Sequence, residues 1–231
     1  MEKEIEKKVP SHVGIIMDGN GRWATLRGKN RSYGHKAGTN NVNRIVEHAF
    51  KCGVKTLSLY AFSSENWSRS KPEVDELMRL LKVYFTKYIK KIITHKVRLN
   101  VMGDLTKLTP EIQEILRKDM EETKNNRGHV LNIAINYGGR GEIVMAANKL
   151  VAEGKEITEQ SLNENLYSYE FGDPDLIIRT GGELRLSNFM LYQGAYSELY
   201  FTDVLWPDFD ENELDKAIQS FSLRKRRFGK V

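Results

Sequence analysis

The sequence predicts a single α/β domain, built on a mostly parallel central sheet of about six strands flanked by helices. Three observations predict this fold. The length of 231 residues suits one large domain better than two small ones. Short apolar, β-branched runs alternate with longer stretches of helical periodicity. Polar, glycine-rich segments follow nearly every such run, as do the ligand-binding loops at the carboxyl edge of an open parallel sheet.

The predicted strands are short and are bounded by turn-forming residues. They cover residues 13–17, 56–61, 97–102, 130–136, 176–179 and 199–201. Between the first two strands, apolar residues at helical spacing from Val42 to Phe50 predict a helix that ends at Gly53. Pro72 stands at a favourable first-turn position and begins a second, longer helix. This order of elements favours one domain over residues 1–231.

The composition favours an intracellular protein with an anionic partner. The net charge is +5 and the pI is about 9.1, which suits nucleic acid, acidic lipid headgroups or a phosphorylated small molecule. Much of the excess charge lies in the basic segment 222–231, and charge alone leaves both a solvated and a functional tail open. The one cysteine, Cys52, allows no intrachain disulfide and is interpreted as a small buried hydrophobe near a helix end.

The sequence contains no recognisable membrane-spanning or secretory segment. Residues 1–10 are mostly charged, lack the apolar stretch of a signal peptide and are predicted to be a flexible N terminus. Eighteen apolar residues never occur in succession. We therefore expect a cytoplasmic protein that is at most peripheral to the membrane.

Five of the predicted strands lead directly into chemically dense segments. These segments are 18–23, 62–69, 103–104, 136–140 and 179–183. The carboxyl ends of parallel strands meet at one edge of a sheet, so the five loops are expected to converge there. The sequence thus predicts one composite ligand site.

The first loop combines a carboxylate, Asp18, with Gly19 and Gly21, whose backbone can approach an anion closely. The run Gly-x-Gly-x-x-Ala also matches a dinucleotide-binding fingerprint. That fingerprint needs a second strand ending in an acidic residue about 20 positions later, and here Gly38 and its neighbours occupy the place, with Glu47 the next acid. We therefore reject a nicotinamide site, and the lack of a Gly-x-x-x-x-Gly-Lys-Ser/Thr run excludes a P-loop.

The fifth loop predicts a second anion site. Arg179 closes an apolar strand, and Arg185 follows with Ser187 beside it. A guanidinium group matches phosphate geometry and a hydroxyl adds another donor. A purely surface role remains open for Arg185.

Asp18 and Glu198 are the candidate Mg²⁺ ligands, because Mg²⁺ prefers carboxylates combined with substrate phosphates. Glu198 is a lone acid in an apolar and aromatic run. Asp173, Asp175 and Asp203 are interpreted as turn and cap residues.

The five histidines form no pair at a spacing of three or four, so a zinc site is not expected. The lack of a Gly-x-Ser-x-Gly run counts against a serine hydrolase.

The helix after Pro72 carries an apolar arc wider than packing on one sheet face requires. Its members are Val74, Leu77, Met78, Leu80, Leu81, Tyr84, Phe85, Tyr88, Ile89, Ile92 and Ile93. Plain core is one interpretation. The other is the wall of an apolar tunnel for a long hydrocarbon, lined also by strand residues Leu131, Ile133 and Ile135.

Several long motifs in this order resemble the bacterial cis-prenyltransferases, the undecaprenyl diphosphate synthases. They are HVGIIMDGNGRWA (12–24), GHKAG (34–38), LYAFSSENWSR (59–69), LNIAINYGGR (131–140), DLIIRTGGELRLSNF (175–189) and YSELYFTDVLWPDF (196–209). The resemblance covers the chain nearly end to end. It does not extend to the all-helical trans-prenyltransferases, whose Asp-Asp-x-x-Asp motif the sequence lacks.

The resemblance implies a role for each site residue. Asp18 and Asn66 would be catalytic, and Asp18 and Glu198 would hold Mg²⁺. The allylic diphosphate would be bound by Gly19, Asn20, Gly21, Arg22, Trp23, Arg31, His35, Ser63, Glu65, Trp67 and Arg69, of which those from 63 to 69 belong to a mobile loop. Isopentenyl diphosphate would be bound by Arg179, Arg185, Ser187, Arg227 and Gly229. The last two belong to a C-terminal element that reaches the neighbouring active site of a homodimer.

The expected activity is cis-elongation of an allylic primer, farnesyl diphosphate, with isopentenyl diphosphate to give undecaprenyl diphosphate, the lipid carrier of cell-wall peptidoglycan synthesis. The proton-abstracting base has no sequence signature. Product length depends on which side chains close the tunnel, so a medium-chain product remains open. The alternatives from other classes are a nucleotide-dependent α/β enzyme and a basic nucleic-acid-binding module. No stacked-aromatic or basic-stripe pattern supports the latter, and no nucleic-acid partner is expected.

Overall fold

The computed structural model describes residues 8–87 and 96–225. Within these ranges, six strands form one sheet in the order β3-β4-β2-β1-β5-β6, and every neighbouring pair is parallel. The strands are β1 (His12–Ile16), β2 (Thr56–Ser63), β3 (Arg98–Met102), β4 (Val130–Tyr137), β5 (Leu176–Arg179) and β6 (Glu198–Phe201). The predicted fold class is confirmed.

Seven α-helices accompany the sheet in the described ranges. They are α1 (Asn20–Thr25), α2 (Arg31–Lys51), α3 (Lys71–Lys87), α4 (Pro110–Thr123), α5 (Gly139–Ala152), α6 (Glu159–Asn163) and α7 (Glu211–Ser222). Asn30 caps α2 by accepting a hydrogen bond from the Tyr33 amide, and Asp210 caps α7 in the same way through Glu213. These caps fix where the two helices begin, close to the carboxyl edge for α2.

Strand alternation divides the core between the two faces of the sheet. Ile15 and Leu59 belong to the larger cluster with α2, α3, α4 and α7, whereas the adjacent Ile16 and Tyr60 belong to a smaller cluster on the other face. The largest difference from the predicted boundaries is at β2, which runs to Ser63. Its pairing with β4 shifts register after Tyr60, so a bulge carries the strand into a segment whose polar residues predict a loop.

The two termini are described in part. Val9 packs against the main core cluster and Pro10 is buried, whereas residues 1–7 of the predicted flexible N terminus lie outside the described residues. In the basic segment 222–231, Arg224 donates to the Glu198 carboxylate at 2.8 Å and to the Leu199 carbonyl at 3.0 Å. Residues 226–231 lie outside the described ranges.

Candidate active site

The carboxyl ends of the central strands open into a pocket of about 480 Å³. That volume falls within the usual range of small-molecule sites. One part of the pocket is polar and basic and contains Asp18, Asn20, Arg22, Arg31, His35, Ser63, Asn66, Arg69, Arg179, Glu183, Arg185 and Ser187. The other part is apolar. The loops that follow β1, β2 and β5 therefore meet at one place, as the sequence predicts, whereas segments 103–104 and 136–140, which the sequence assigns to the same site, contribute no residue to the pocket lining.

Arg179 connects the two predicted anion sites. Its side chain is 5% exposed, and its guanidinium group donates to Asp18 Oδ2 at 2.9 Å and to Ser187 Oγ at 2.7 Å. A further bond to the Arg185 carbonyl fixes the start of the fifth loop. Among the described residues, the buried Nε of Arg179 finds no acceptor. The first and fifth loops thus share one buried cation, with a donor left over at the pocket.

The first loop requires glycine for two separate reasons. Gly19 has φ +111°, and a Cβ there would lie 3.0 Å from Leu205 Cα. At Gly21 the backbone is packed against the Arg31 guanidinium, since a Cβ would lie 2.8 Å from its Cζ. The absence of a side chain at Gly21 lets Arg31, from the start of α2, approach the loop that leads into α1.

Glu73 is the second charged centre, and sequence reasoning missed it. Its Oε1 accepts from Arg69 at 2.9 Å, from Arg31 at 3.2 Å and lies 3.2 Å from His35 Nε2. Burial opposes ionisation of Glu73, but the charges of Arg69 and Arg31 and the hydrogen bonds outweigh it and hold the Glu73 pKa below its ordinary value. Burial also lowers the pKa of His35, although Glu73 opposes that shift.

Glu73 did have a sequence signal. It lies four residues after Arg69, at the spacing of a helical ion pair, and directly after Pro72 in the first turn of α3. Two arginines and the His35 imidazole, all predicted to bind a diphosphate, converge on this carboxylate. The Glu73 carboxylate therefore contacts the same side chains that an anionic ligand would contact.

The segment after β2 forms a 3₁₀ turn over Ser64–Ser68 that is tied to its surroundings. The Asn66 side chain accepts a hydrogen bond from the Ser63 amide at 3.1 Å. Trp67 Nε1 donates to Asn136 at 2.7 Å, and Glu65 accepts from Asn188 at 2.8 Å. Of the loop residues assigned by sequence, Ser63, Asn66 and Arg69 line the pocket, whereas Glu65 and Trp67 brace the loop against β4 and the fifth loop.

The fifth loop holds an unusual backbone. Ser187 has φ +46° and Asn188 has φ +66°, values that are uncommon for residues other than glycine. Arg179 bonds Ser187 Oγ and Asn188 bonds Glu65, so neighbouring groups hold this conformation. Arg185 reaches the pocket and pairs with Glu183, which also lies 3.9 Å from Arg22.

The apolar part of the pocket is formed largely by α3. Its lining includes Leu59, Leu77, Met78, Leu80, Leu81, Tyr84, Phe85 and Ile133. Leu131 and Ile135 are instead packed in the main core cluster. Tyr88, Ile89, Ile92 and Ile93, which the sequence assigns to the same arc, lie outside the described residues. The wide apolar arc of α3 thus serves core and pocket together.

Comparison with known proteins decides the family. The undecaprenyl diphosphate synthase model (Prenyltransf) matches residues 16–229. An isoprenyl transferase of Fusobacterium nucleatum is 52% identical over 228 residues, which cover 98% of this chain and 99% of that protein. The ditrans,polycis-undecaprenyl-diphosphate synthase of Escherichia coli K12, named as (2E,6E)-farnesyl-diphosphate specific, is 48% identical over 97% of this chain and 93% of its own length.

The chain belongs to the undecaprenyl diphosphate synthase family of prenyltransferases.

A solved structure of the same fold agrees with this assignment. The lavandulyl diphosphate synthase of Lavandula x intermedia, in complex with dimethylallyl diphosphate, superposes with a TM-score of 0.92 at 37% identity, and the match covers 96% of this chain and 99% of that one. The nucleotide-dependent and nucleic-acid-binding alternatives are not favoured by any of these relatives. The resemblance inferred from the motifs is confirmed.

The residues around Asp18 fit a divalent cation that is bound jointly with a substrate. Mg²⁺ is usually held by one or two carboxylates together with substrate phosphates. Asp18 is one-third exposed at the pocket, between Arg179 at 2.9 Å and Arg22 at 3.4 Å. Arg22 is about half exposed, so it can turn away from Oδ1. Asp18 remains the predicted metal ligand.

Glu198 lies at the opposite end of the sheet from Asp18. It pairs in register with Leu176, at the amino end of β5, and its carboxylate binds Arg224 at 2.8 Å. Asp18 follows the carboxyl end of β1, so this geometry does not support a metal shared between the two carboxylates within one chain. The metal role of Glu198 stays a prediction.

One further assignment, Trp23, is not part of the pocket lining that the described residues form. Trp23 stacks on Tyr33 and donates to Asp208 at 2.6 Å. Arg227 and Gly229 lie outside the described residues. Trp206, which sequence reasoning did not assign, is buried at the pocket and donates to the Gly38 carbonyl at 2.9 Å. Its neighbour Gly38 leaves space for the Asn20 amide.

Proposed function

We propose that this prenyltransferase condenses isopentenyl diphosphate units onto an allylic diphosphate, with farnesyl diphosphate as primer, to give undecaprenyl diphosphate. The observation that carries the proposal is the division of one pocket into a basic part and an apolar wall. Such a pocket matches a molecule with a diphosphate at one end and a hydrocarbon at the other. The Escherichia coli relative, named as a farnesyl-diphosphate-specific undecaprenyl-diphosphate synthase, supports the same substrate and product.

The allylic diphosphate would occupy the group formed by the first loop and the Glu73 cluster. Arg31, His35 and Arg69 lie within hydrogen-bond reach of Glu73 and would exchange that carboxylate for phosphate oxygens. Gly19 to Arg22 would add backbone contacts on the opposite side. The hydrocarbon would then extend along α3.

Isopentenyl diphosphate would bind at the fifth loop, through Arg179, Arg185 and Ser187. Because Arg179 also contacts Asp18, it would hold the second substrate directly beside the departing diphosphate of the first. This placement orients two reactants that must meet end to end. Arg227 and Gly229 are proposed to complete the site from a partner subunit of a homodimer.

The chemistry then requires one bond to form and one to break. The terminal alkene carbon C4 of isopentenyl diphosphate attacks C1 of the primer, the C1–O bond breaks, and a proton leaves C2 of the new unit. Arginines at the pocket mouth stabilise the charge that develops on the departing diphosphate. Mg²⁺, when bound at Asp18, would supply further charge neutralisation there. The apolar wall and Trp206 exclude water from the reacting carbons.

The product would serve as the lipid carrier of cell-wall synthesis, and its release would place the enzyme peripherally at the inner face of the membrane. Within residues 8–87 and 96–225, no helix is long and apolar enough to cross a bilayer. Cytoplasmic localisation stays a prediction.

The decisive experiment is incubation with farnesyl diphosphate, labelled isopentenyl diphosphate and Mg²⁺, with and without a chelator. The product is extracted into organic solvent and sized by chromatography. We expect a chelator-sensitive product of undecaprenyl length. An extractable product of medium length would correct the product, and no extractable label from folded protein with several allylic primers would overturn the proposal.

A further inference from the structure

A second cluster of chemically reactive side chains lies on the other side of the molecule. His48 and Cys52 are one turn apart at the end of α2, and Asp215 comes from α7, which packs against it. The ligand atoms of these three side chains all lie within 4.8 Å of one another. Each side chain is partly buried, so the cluster is open to solvent on one side.

The distances between the three donor atoms match those of a tetrahedral metal site. Cys52 Sγ lies 3.4 Å from His48 Nε2 and 3.5 Å from Asp215 Oδ1, and the last two are 2.9 Å apart. With Zn–S of about 2.3 Å and Zn–N or Zn–O of about 2.0–2.1 Å, neighbouring donors of a tetrahedral zinc site lie about 3.3–3.6 Å apart. The two distances from Cys52 Sγ already agree with these values. The distance between His48 Nε2 and Asp215 Oδ1 would increase by about 0.4 Å when a metal replaces the hydrogen bond.

We propose that His48, Cys52 and Asp215 form a binding site for a borderline-soft divalent cation, Zn²⁺, with water as the fourth ligand. A thiolate and a carboxylate together balance the charge of the ion, and imidazole completes a donor set that Zn²⁺ accepts and Mg²⁺ does not favour. Binding releases the thiol proton and requires the imidazole proton to reside on Nδ1.

The expectation of no zinc site rests on the absence of paired histidines, which does not bear on this arrangement. Here the helical pair is His48 with Cys52, at a spacing of four, and the third ligand is 163 residues further along the chain from Cys52. The fold supplies that ligand, since α7 is brought against the end of α2.

The cluster is distinct from the prenyltransferase pocket. α2 carries His35 at the pocket and His48 thirteen residues later. At 1.5 Å rise per residue, the two positions lie about 20 Å apart along the helix. The chain after α2 enters β2 at Thr56, so the cluster is at the amino edge of the sheet. It is therefore separate from Asp18.

The test is titration of the full-length protein with Co²⁺, and then Zn²⁺ in competition, in excess Mg²⁺ to occupy the Asp18 region. Because Cys52 is the one cysteine of the chain, sulfur-to-cobalt charge-transfer absorption reports this site alone. We expect one Co²⁺ per chain, displaced by Zn²⁺, and Zn²⁺ protection of the thiol from alkylation. Absence of charge-transfer absorption from folded protein would overturn the proposal.

Variants separate this site from adventitious binding. Cys52→Ser and Asp215→Asn should each weaken Zn²⁺ binding by at least about 100-fold, beyond the effect usual for a group outside the ligand set. The matched control, Asp75→Asn, changes an exposed carboxylate on α3 and should bind Zn²⁺ like the unaltered protein. Zn²⁺ should also raise the Tm of the unaltered protein and of the control, but not of the two cluster variants. Equal affinity in all four proteins would overturn the proposal.

Discussion

The two ends of β1 use polar side chains in opposite ways. At its amino end, His12 is 2% exposed and its ring nitrogens lie 2.8 Å from the Gly172 carbonyl and 2.7 Å from Ser58 Oγ. Just beyond its carboxyl end, Asp18 is one-third exposed and lies between two arginines. The buried His12 ring has two neutral hydrogen-bond partners, with the Asp175 carboxylate on the His12 backbone amide, whereas Asp18 faces a pocket among charges.

This contrast shows how one strand divides stability from chemistry. Burial lowers the pKa of His12 to about 4, so the fold requires its neutral form. Nδ1–H then donates to Gly172, and Nε2 accepts from the Ser58 hydroxyl. Asp18 instead places a charged carboxylate at the pocket, bound to Arg179, whose guanidinium group can also bind a ligand. Changes at the two ends should therefore affect different measurements.

The largest expected effect is at Asp18. Asp18→Ala should lower kcat by about 1,000-fold or more, because one charged group at the leaving diphosphate is lost. Its Tm should also fall, because the buried Arg179 loses its carboxylate partner, so kcat is compared in protein shown to be folded. Asp18→Asn keeps the shape and should lose nearly as much activity. Near-normal turnover in either folded variant would contradict the role given to this carboxylate.

The opposite end of β1 should respond to pH. Since the folded-state pKa of His12 lies near 4, the unfolded chain binds the proton first as pH falls. The free energy of unfolding should therefore decrease between about pH 6.5 and pH 4, by about 3 kcal/mol from this group. Urea unfolding at several pH values measures the slope.

His12→Asn supplies the comparison, with His12→Gln as a second variant if the first does not fold. Asn keeps a donor and an acceptor but does not titrate, so this part of the slope should disappear. Equal slopes in the variant and the unaltered protein would show that other groups cause the acid sensitivity. Prenyltransferase activity at neutral pH should persist in the folded variant.

Arg179 tests whether the charged end depends on geometry as well as on charge. Arg179→Lys keeps the charge but cannot reach Asp18, Ser187 and the Arg185 carbonyl together. We expect kcat/KM for isopentenyl diphosphate to fall by about 100-fold, equivalent to about 2.7 kcal/mol. Arg79→Lys, at an exposed ion pair with Glu76, is the matched control and should stay near normal. A similar small loss in both variants would contradict the bridging role.

The sequence could predict the fold well because its signals are local. Apolar periodicity marks the six strands, and their parallel order follows from the intervening helices. The predicted parallel sheet also places Asp18, Arg31 and Arg179 near one edge, since the loops after parallel strands meet there. Spacing alone relates Glu73 to Arg69, but the sequence could not predict that Glu73 also contacts Arg31 and His35, or that Glu198 pairs with Arg224. Those pairs depend on side-chain reach across elements, which periodicity does not encode.

The smallest expected effect is at Glu73, which tests whether the charged end is prearranged for an anion. Its carboxylate holds Arg31, His35 and Arg69 in the positions that a diphosphate would use. Glu73→Gln removes the competing charge, so inorganic diphosphate should bind about tenfold more tightly, a gain of about 1.4 kcal/mol. Calorimetry measures this, with Glu76→Gln on the same helix as control. Weaker binding of diphosphate to Glu73→Gln would contradict this expectation. It would mean that the Glu73 carboxylate mainly orients the Arg31 and Arg69 side chains and competes little with their ligand.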